Sequence, residues 1–366
     1  MAKKVGSNPR LADLLDAPER EQRRRGYFHT VREIDQQPET WLETAELSLP
    51  ALVTTEGPVY LTGSGSSYYI GESLEPILAR KLGRRVRAVP AGSFLTSGES
   101  LLGSDATGTL VSFARSGDSP ESIAVVDWFL RTRPGFRHLV LTCNAEGALA
   151  TRYSGRDDVE AVVLSERTND RSLVMTSSFT NLWLAGRLLA GRDIDVTRLA
   201  AQARSLLDGF SPSPFFFSTA IFLGTGERFG AAREAALKML EMCDGVVPTF
   251  AETFLGFRHG PMCAARDGAL LVGFLSSEEP ARAYERDLLG ELERKNVAAR
   301  LFLAGEDGDV RYDGPDDEVP VLDVVVGQLL ALFRCLSLGL EPDAPSRANV
   351  ITRVVERFPI HDAARR

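Results

Sequence analysis

The feature that most constrains this fold is a local pattern that occurs twice: an apolar strand, a Gly-x-Gly turn and a helix. The first copy is VYLTGSGSSYYIG (59–71), and the second is AIFLGTGERFGAAREAALKML (220–240). Around each copy, apolar strands alternate with amphipathic helices, which is typical of a parallel sheet covered on both faces. The sequence therefore predicts an α/β protein with two tandem doubly wound parallel-sheet domains, an internal duplication of about 150 residues per half.

The predicted organisation has three parts: an N-terminal helical arm (1–47), a first domain (48–205), and a second domain with a C-terminal tail (206–366). The arm contains REIDQQPETW, which predicts a helix broken at Pro38. It is too short for a complete DNA-binding domain, so we expect it to pack on the body or on a partner subunit. The Pro/Ser-rich stretch LLDGFSPSPF (206–215) is the predicted linker.

Composition excludes several classes of protein. Of the 366 residues, 44% are hydrophobic and 25% are charged, and the net charge of −8 argues against a nucleic-acid partner. The N-terminus lacks the apolar segment of a signal peptide, and no run of 18 apolar residues predicts a membrane span. The four cysteines are widely spaced, which suggests neither a metal site nor a disulfide framework. We expect a cytoplasmic protein with no metal and no cofactor.

The first Gly-x-Gly turn does not fit a nucleotide. Tyr68 stands where a dinucleotide fingerprint needs its third glycine, the next strand (RRVRAVPAG) ends without an acid, and a Walker lysine is missing. What remains is a helix N-terminus with the hydroxyls of Ser64, Ser66 and Ser67, which suits a phosphate monoester. The alternative is that Ser66 or Ser67 simply caps the helix.

A second hydroxyl-rich turn weakens that alternative. VSFARSGDSPES (111–122) is another strand running into a helix, with Ser119 at the predicted N-cap and Pro120 in the first turn. Arg115, Ser116 and Ser119 would add donors around one anion. Because both turns lie at the carboxyl ends of strands, where doubly wound sheets bind ligands, the pair favours phosphate binding over capping alone.

Four further segments, together with the two turns, carry a family resemblance. From about residue 48 to 358 the chain resembles two tandem, flavodoxin-like copies of the sugar isomerase (SIS) domain. It is most similar to the AgaS family of galactosamine-6-phosphate deaminase/isomerases, once labelled tagatose-6-phosphate ketose/aldose isomerases, and more distantly to the isomerase half of glucosamine-6-phosphate synthase. The segments are SLVMTSSFTNLWLAGRL (172–188), EAALKMLEM (234–242), GFRHGPM (256–262) and LSLGLEPDAPSRANVITRVV (336–355).

The resemblance assigns the base to Glu241. Glu234, Lys238 and Glu241 fall on one helical face, which by spacing alone is common for a salt-bridged surface stripe. The family match instead implies that Glu241 moves a proton between C2 and C1 of the sugar, and that Lys238 orients this carboxylate or keeps it ionised. Thr176 and Ser177 of the TSSFT segment are implied substrate-binding residues.

His259, in FRHGP, is the implied acid/base group for opening the pyranose ring. Its flanking glycine and proline predict a loop, and an unperturbed histidine suits proton shuttling near neutral pH. In relatives this histidine enters the active site of the neighbouring subunit, which implies a homodimer or a higher homo-oligomer. The other histidines are interpreted as structural: His29, His138 and His361.

The C-terminal segment departs from one relative. Glucosamine-6-phosphate synthase-like proteins carry a lysine there that forms a Schiff base, whereas the matching ANVITRVVE (348–356) offers Arg353. Arginine cannot form that imine, but it can bind phosphate or stabilise an enolate. An aldosamine already carries nitrogen at C2, so proton transfer to C1 makes a C2 imine that water hydrolyses. Glu252, in PTFAETFLG (248–256), is a candidate contact to the sugar.

The expected function is deaminating isomerisation of a hexosamine 6-phosphate: D-galactosamine 6-phosphate to D-tagatose 6-phosphate plus ammonia. The alternatives are a glucosamine-6-phosphate deaminase, a simple aldose–ketose sugar-phosphate isomerase, and a fructosamine-phosphate deglycase. A further alternative is a non-catalytic phosphosugar sensor, which the short arm, the acidic charge and the pairing of Glu241 with His259 disfavour. The sequence does not locate the contacts that distinguish galacto from gluco substrates.

Overall fold

The computed structural model describes residues 10–52, 55–211 and 216–361. The arm forms four helices: α1 (Leu11–Asp16), α2 (Glu19–Arg24), α3 (Phe28–Asp35) and α4 (Gln37–Ala45). The break predicted at Pro38 falls at Gln36 instead, because proline is tolerated in the first turn of the new helix α4. Trp41 of α4 is buried, and its Nε1 donates a hydrogen bond to Thr180 (2.9 Å), so the arm packs on the body of the chain.

The first half forms a five-stranded parallel sheet in the order β2-β1-β3-β4-β5. Its strands are β1 (Val59–Gly63), β2 (Val86–Pro90), β3 (Thr107–Ala114), β4 (Gly135–Thr142) and β5 (Val159–Val163). The helices between them are α5 (Ser66–Leu82), α6 (Ala91–Leu102), α7 (Pro120–Thr132) and α8 (Ala148–Thr151). The strand order reverses between β1 and β3, which is the switch point where such sheets bind ligands.

Two helices connect the halves: α9 (Ser177–Leu188) and α10 (Val196–Gly209). Every residue of α9 is buried. The predicted linker at 206–215 begins within α10, because the helix continues to Gly209, and part of that stretch lies outside the described residues.

The second half repeats the topology of the first. Its parallel sheet has the order β7-β6-β8-β9, which matches β2-β1-β3-β4 strand for strand, as the duplication predicts. The strands are β6 (Thr219–Leu223), β7 (Thr249–Glu252), β8 (Ala269–Phe274) and β9 (Arg300–Ala304). The helices are α11 (Glu227–Met242), α12 (Phe254–Phe257), α13 (Ala281–Arg294) and α14 (Pro320–Ser337).

Helices α5 and α11 bring the two halves into direct contact. Gly230 of α11 lies against Ser73 of α5 so closely that an added Cβ would come within 2.5 Å of the Ser73 nitrogen. The Ser73 hydroxyl also donates to the carbonyl of Glu227 (2.9 Å). This close packing places α11 of the second half beside the first turn of the first half. The domain boundaries at residues 47/48 and 205/206 remain a prediction.

Helix α14 is the one helix among the described residues that is long and apolar enough to cross a membrane, and 83% of it is buried inside the protein. Its Gly327 faces Ala235 of α11, where an added Cβ would come within 2.4 Å of the Ala235 methyl. Such contacts are those of a core helix in a globular protein.

Candidate active site

A cavity of about 580 Å³ opens at the carboxyl ends of β1 and β3, at the switch point of the first sheet. Both hydroxyl-rich turns, the end of α11 and part of the C-terminal tail meet there. Most of the residues predicted for the site line this cavity: Ser64, Ser66, Ser67, Arg115, Ser116, Ser119, Lys238, Glu241 and Arg353.

In the first turn the serine hydroxyls do not serve as helix caps. Gly65 occupies the N-cap of α5 with φ 58° and ψ −128°, a conformation that favours glycine. Ser66 and Ser67 are the first residues of the helix, and no side chain caps it. The Ser66 hydroxyl accepts a hydrogen bond from Lys238 Nζ (3.1 Å), and the Ser67 hydroxyl lies 3.8 Å from the sulfur of Met175. The hydroxyls therefore face the cavity at a helix N-terminus, as a phosphate site requires.

The second turn has the same character. Ser119 is the N-cap of α7 and Pro120 is its first residue, as predicted, but the Ser119 side chain makes no capping hydrogen bond. The Ser116 hydroxyl accepts a weak bond from the backbone N–H of Asp118 (3.3 Å). Both hydroxyls line the cavity and add donors beside the first turn.

Two arginines from distant parts of the chain form one wall. Arg115 is buried, and its Nη1 donates to two carbonyl oxygens of the 169–173 segment (2.9 and 3.3 Å). Its Nη2 donates to the carbonyl of Arg353 (2.6 Å), whose own Nε and Nη2 bind the 169–173 segment at 2.8 and 2.6 Å. Burial and the neighbouring Arg353 lower the pKa of Arg115, but an arginine stays protonated at neutral pH. The wall is cationic and attracts an anion.

Helix α11 supplies the acid/base groups. Lys238 is buried, forms an ion pair with the carboxylate of Glu241, and donates to Ser66. Although burial lowers the pKa of an ammonium, the carboxylates of Glu234 and Glu241 outweigh it and raise the pKa of Lys238. Glu241 keeps 22% of its side chain exposed, on the cavity side. The helical face that carries Glu234, Lys238 and Glu241, which by spacing alone would be a surface stripe, is therefore mostly buried.

Glu234 was not predicted to have a role. Its carboxylate is fully buried beneath Lys238, with Oε1 at 3.4 Å from Nζ. Burial raises the pKa of Glu234 to about 8, against the opposing effect of Lys238. The spacing of four residues from Lys238 was the available signal, but it does not distinguish a buried pair from an exposed one.

Glu234→Gln should flatten the pH dependence of stability. Because the folded pKa lies above that of an unfolded glutamate, folding retains a proton that the unfolded chain releases. The contribution of this proton to the free energy of unfolding is complete below about pH 4.5. It is lost as the pH rises through about 8, at up to about 1.4 kcal/mol per pH unit. Urea unfolding from pH 5 to 9 should show the wild type losing stability relative to the variant. Parallel curves would contradict this.

Two predicted binding residues do not reach the cavity. The backbone N–H of Thr176 donates to one oxygen of Asp170 (2.7 Å), and the Ser177 hydroxyl donates to the other (2.5 Å). Both residues are fully buried at the start of α9. These two hydrogen bonds to Asp170 anchor the start of a core helix, whereas the buried Thr176 hydroxyl has no hydrogen-bond partner among the described residues.

His259 follows α12 and is exposed, and it does not line the cavity of its own chain. Glu252, at the end of β7, is half-buried, and its carboxylate accepts the N–H of Thr253 (2.7 Å) instead of lining that cavity. His138 is buried in the first sheet, where burial lowers its pKa to about 4, which fits a structural residue.

The corresponding turn in the second half is occupied by an internal carboxylate and leaves a smaller cavity, of about 160 Å³. Ser276 follows β8 by two positions, as Ser116 follows β3. Its backbone N–H and its hydroxyl both donate to the buried carboxylate of Glu285 (2.7 Å each). An internal carboxylate therefore takes the donors that remain open in the first half, so the two halves are not equivalent.

No protein-family model matches the sequence. An AgaS protein of Streptomyces coelicolor is 36% identical to it, over 91% of this chain and 95% of the relative. The D-galactosamine-6-phosphate deaminase AgaS of Escherichia coli is 33% identical, with the same coverage. The solved structure of tagatose-6-phosphate ketose/aldose isomerase from Escherichia coli matches with a TM-score of 0.80 and 29% identity, over 91% of this chain and 97% of that one.

Two doubly wound sheets with one shared cavity define a tandem sugar isomerase (SIS) architecture, as the sequence predicts. The identity to the AgaS proteins extends along nearly the full length of both partners. The chain belongs to the AgaS family.

Proposed function

We propose that this protein is a deaminating isomerase that converts D-galactosamine 6-phosphate and water to D-tagatose 6-phosphate and ammonia. One observation carries the proposal: a single cavity joins the hydroxyl- and arginine-lined turns of the first half to the lysine-paired carboxylate of Glu241 from the second half. The name of the Escherichia coli relative, a D-galactosamine-6-phosphate deaminase, supports the choice of substrate.

The phosphate is proposed to bind at the first turn. The N-terminus of α5 presents backbone N–H groups, and Ser64, Ser67 and Ser119 add hydroxyl donors around it. Arg115 contributes charge from the cavity wall. A phosphate held at one end orients the open-chain sugar toward α11, which replaces a diffusional encounter by a fixed geometry.

Glu241 is the proposed base. It removes the proton from C2 of the open-chain aldosamine and returns it to C1, while the C1 oxygen gains a proton and the amine loses one, which leaves a hydroxymethyl group at C1 and an imine at C2. Water adds to that imine, and ammonia departs to give the ketose. Lys238 orients the carboxylate, since the buried ammonium forms an ion pair with it. Arg353, which lines the cavity, is proposed to stabilise the negative charge that develops on the sugar oxygens.

His259 is proposed to open the pyranose ring in the active site of a second subunit. Two observations support this: the side chain is exposed on a loop, and it lies outside the cavity of its own chain. The active site is then shared in a homodimer or a larger assembly. The cytoplasm is the proposed compartment, because the four cysteines are free thiols.

A shared site can be tested by mixing two inactive variants. Glu241→Gln and His259→Asn homodimers should each turn over cyclic substrate poorly. After co-expression with two different tags, half of the dimers are mixed, and each mixed dimer has one intact site. Ammonia release should therefore recover to about a quarter of the wild-type rate. No recovery in purified mixed dimers would place His259 in the site of its own chain or outside the reaction.

The substrate assignment is tested by measuring ammonia release from galactosamine 6-phosphate, glucosamine 6-phosphate and a fructosamine phosphate, with tagatose 6-phosphate monitored for isomerisation. Rapid ammonia release from the galacto epimer with formation of tagatose 6-phosphate is expected. Faster release from the gluco epimer or from the fructosamine phosphate would reassign the substrate. Isomerisation of tagatose 6-phosphate without ammonia release from any amino sugar would indicate a simple isomerase, and binding without turnover would indicate a sensor.

A further inference from the structure

The N-terminal arm reaches the wall of the cavity through one buried carboxylate. Glu33 of α3 is almost completely buried. Its Oε1 accepts the backbone N–H groups of Arg171 (2.6 Å) and Ser172 (3.1 Å), and its Oε2 accepts the Ser172 hydroxyl. Three donors of one short segment therefore converge on a side chain from a different part of the chain.

The two arginines of the cavity wall are hydrogen-bonded to this segment, which we extend here from residues 169–173 to residues 169–175. Its carbonyl oxygens and the side-chain oxygen of Asn169 accept hydrogen bonds from the guanidinium groups of Arg115 and Arg353. Leu173 and Met175 of the segment line the cavity themselves. The orientation of both cations therefore depends on where the carbonyls of this segment point.

We propose that Glu33 is a positioning residue that sets the affinity of the cavity for the phosphate of its substrate. It does not touch the substrate; it holds the 169–175 segment so that its carbonyls aim Arg115 and Arg353 at the cavity. The proposal rests on the proposed function and gives the N-terminal arm a role in the active site.

Glu33 can hold this segment in place because buried backbone N–H groups need hydrogen-bond acceptors. Without the carboxylate, the N–H groups of Arg171 and Ser172 lose their acceptor, and a segment with unsatisfied buried donors shifts to satisfy them. The carbonyls move with it. Glutamine has a side chain of the same length as glutamate and keeps one acceptor oxygen. Burial together with Asp170 raises the pKa of Glu33 to about 7, so a neutral side chain already fits this site.

The test compares Glu33→Ala with Glu33→Gln by calorimetric titration of inorganic phosphate and by steady-state kinetics with galactosamine 6-phosphate. In Glu33→Ala, the Kd for phosphate and the KM should both rise roughly tenfold. The kcat should also fall, because Arg353 is proposed to stabilise charge during the reaction, but by less than the tenfold loss of affinity, since Glu241 and Lys238 are held by α11. Glu33→Gln should stay within about twofold of wild type on every measure.

Gln37→Ala is the matched control from the neighbouring helix of the arm. Gln37 is equally buried, and its hydrogen bonds join Ile34, Gln328 and Thr180. Its loss should lower the melting temperature but leave the phosphate Kd unchanged. An unchanged Kd in Glu33→Ala, or an equal rise in Gln37→Ala, would overturn the proposal.

Two further measurements keep the test decisive. If Glu33→Ala does not fold, Ser172→Ala removes the hydroxyl that binds Glu33 and should raise the phosphate Kd roughly threefold, whereas no change would reject the role. The phosphate titration needs no turnover. A wild type that releases no ammonia would therefore sink the proposed function and still leave the Kd comparison to decide the role of Glu33.

Discussion

Glu241→Gln is expected to lower kcat for ammonia release from galactosamine 6-phosphate by about 10²- to 10⁴-fold, with KM changed only slightly. The amide has the shape of the carboxylate but cannot accept the C2 proton. The phosphate-binding turns belong to the first half and keep their geometry, so ground-state binding should persist. Stopped-flow and steady-state assays of ammonia, with calorimetry for substrate binding, measure both quantities.

Glu227→Gln is the matched control. Glu227 begins the same helix α11 but pairs with Arg80 of α5, outside the cavity lining. The same change of chemistry there should leave kcat within about twofold of wild type. A Glu241→Gln variant with near-normal turnover would refute the assignment of the base, whatever the control shows.

Lys238→Met is expected to have the second largest effect, on turnover and on stability together. The ammonium is buried against Glu234 and Glu241, so its removal leaves the Glu241 carboxylate without its cation and Glu234 without its buried partner. Breaking such a buried pair costs about 3 kcal/mol or more of unfolding free energy. Turnover should fall about 10²-fold, because Glu241 loses the ion-pair partner that orients it. Urea unfolding and kcat measure the two effects.

A second substitution separates the two effects. Glu234→Gln added to Lys238→Met replaces the buried acid by a neutral amide, so the stability lost at high pH, where Glu234 would otherwise ionise, should return while kcat stays low. Lys81→Met serves as the control, since Lys81 pairs with Asp193 and Asp317 away from the cavity. It should cost about 1 kcal/mol or less and leave turnover unchanged. Recovery of kcat in the double variant would reduce Lys238 to a purely structural residue.

Local patterns in the sequence were enough to predict much of the fold. The two Gly-x-Gly turns and the proline at the start of α7 are local signals, and the structure confirms the strand-to-helix units that they predict. Such signals place an element boundary only to within a residue or two. The break was predicted at Pro38, but the new helix begins at Gln37, so that the proline lies in its first turn.

The sequence predicted correctly the cavity-lining residues whose hydrogen-bond donors lie in strand-to-helix turns. Such turns must meet at the carboxyl edge of a parallel sheet, so the sequence alone groups Ser66, Ser67, Arg115 and Ser119. Thr176 and Ser177 show the opposite case. Their placement depends on Asp170, which folds back to take their donors, and spacing carries no information about such a buried partner.

By itself, the sequence determined the α/β class, the duplication, and the hydroxyl-rich strand-to-helix turn that opens the first half, because these follow from apolar periodicity and from a few adjacent residues. Only the tertiary structure decided that Lys238 is buried between Glu234 and Glu241, and that Glu33 of the arm is hydrogen-bonded to the segment that carries the arginine wall. Those features arise from contacts between residues far apart in the chain. Their energies depend on burial, which a local pattern does not encode.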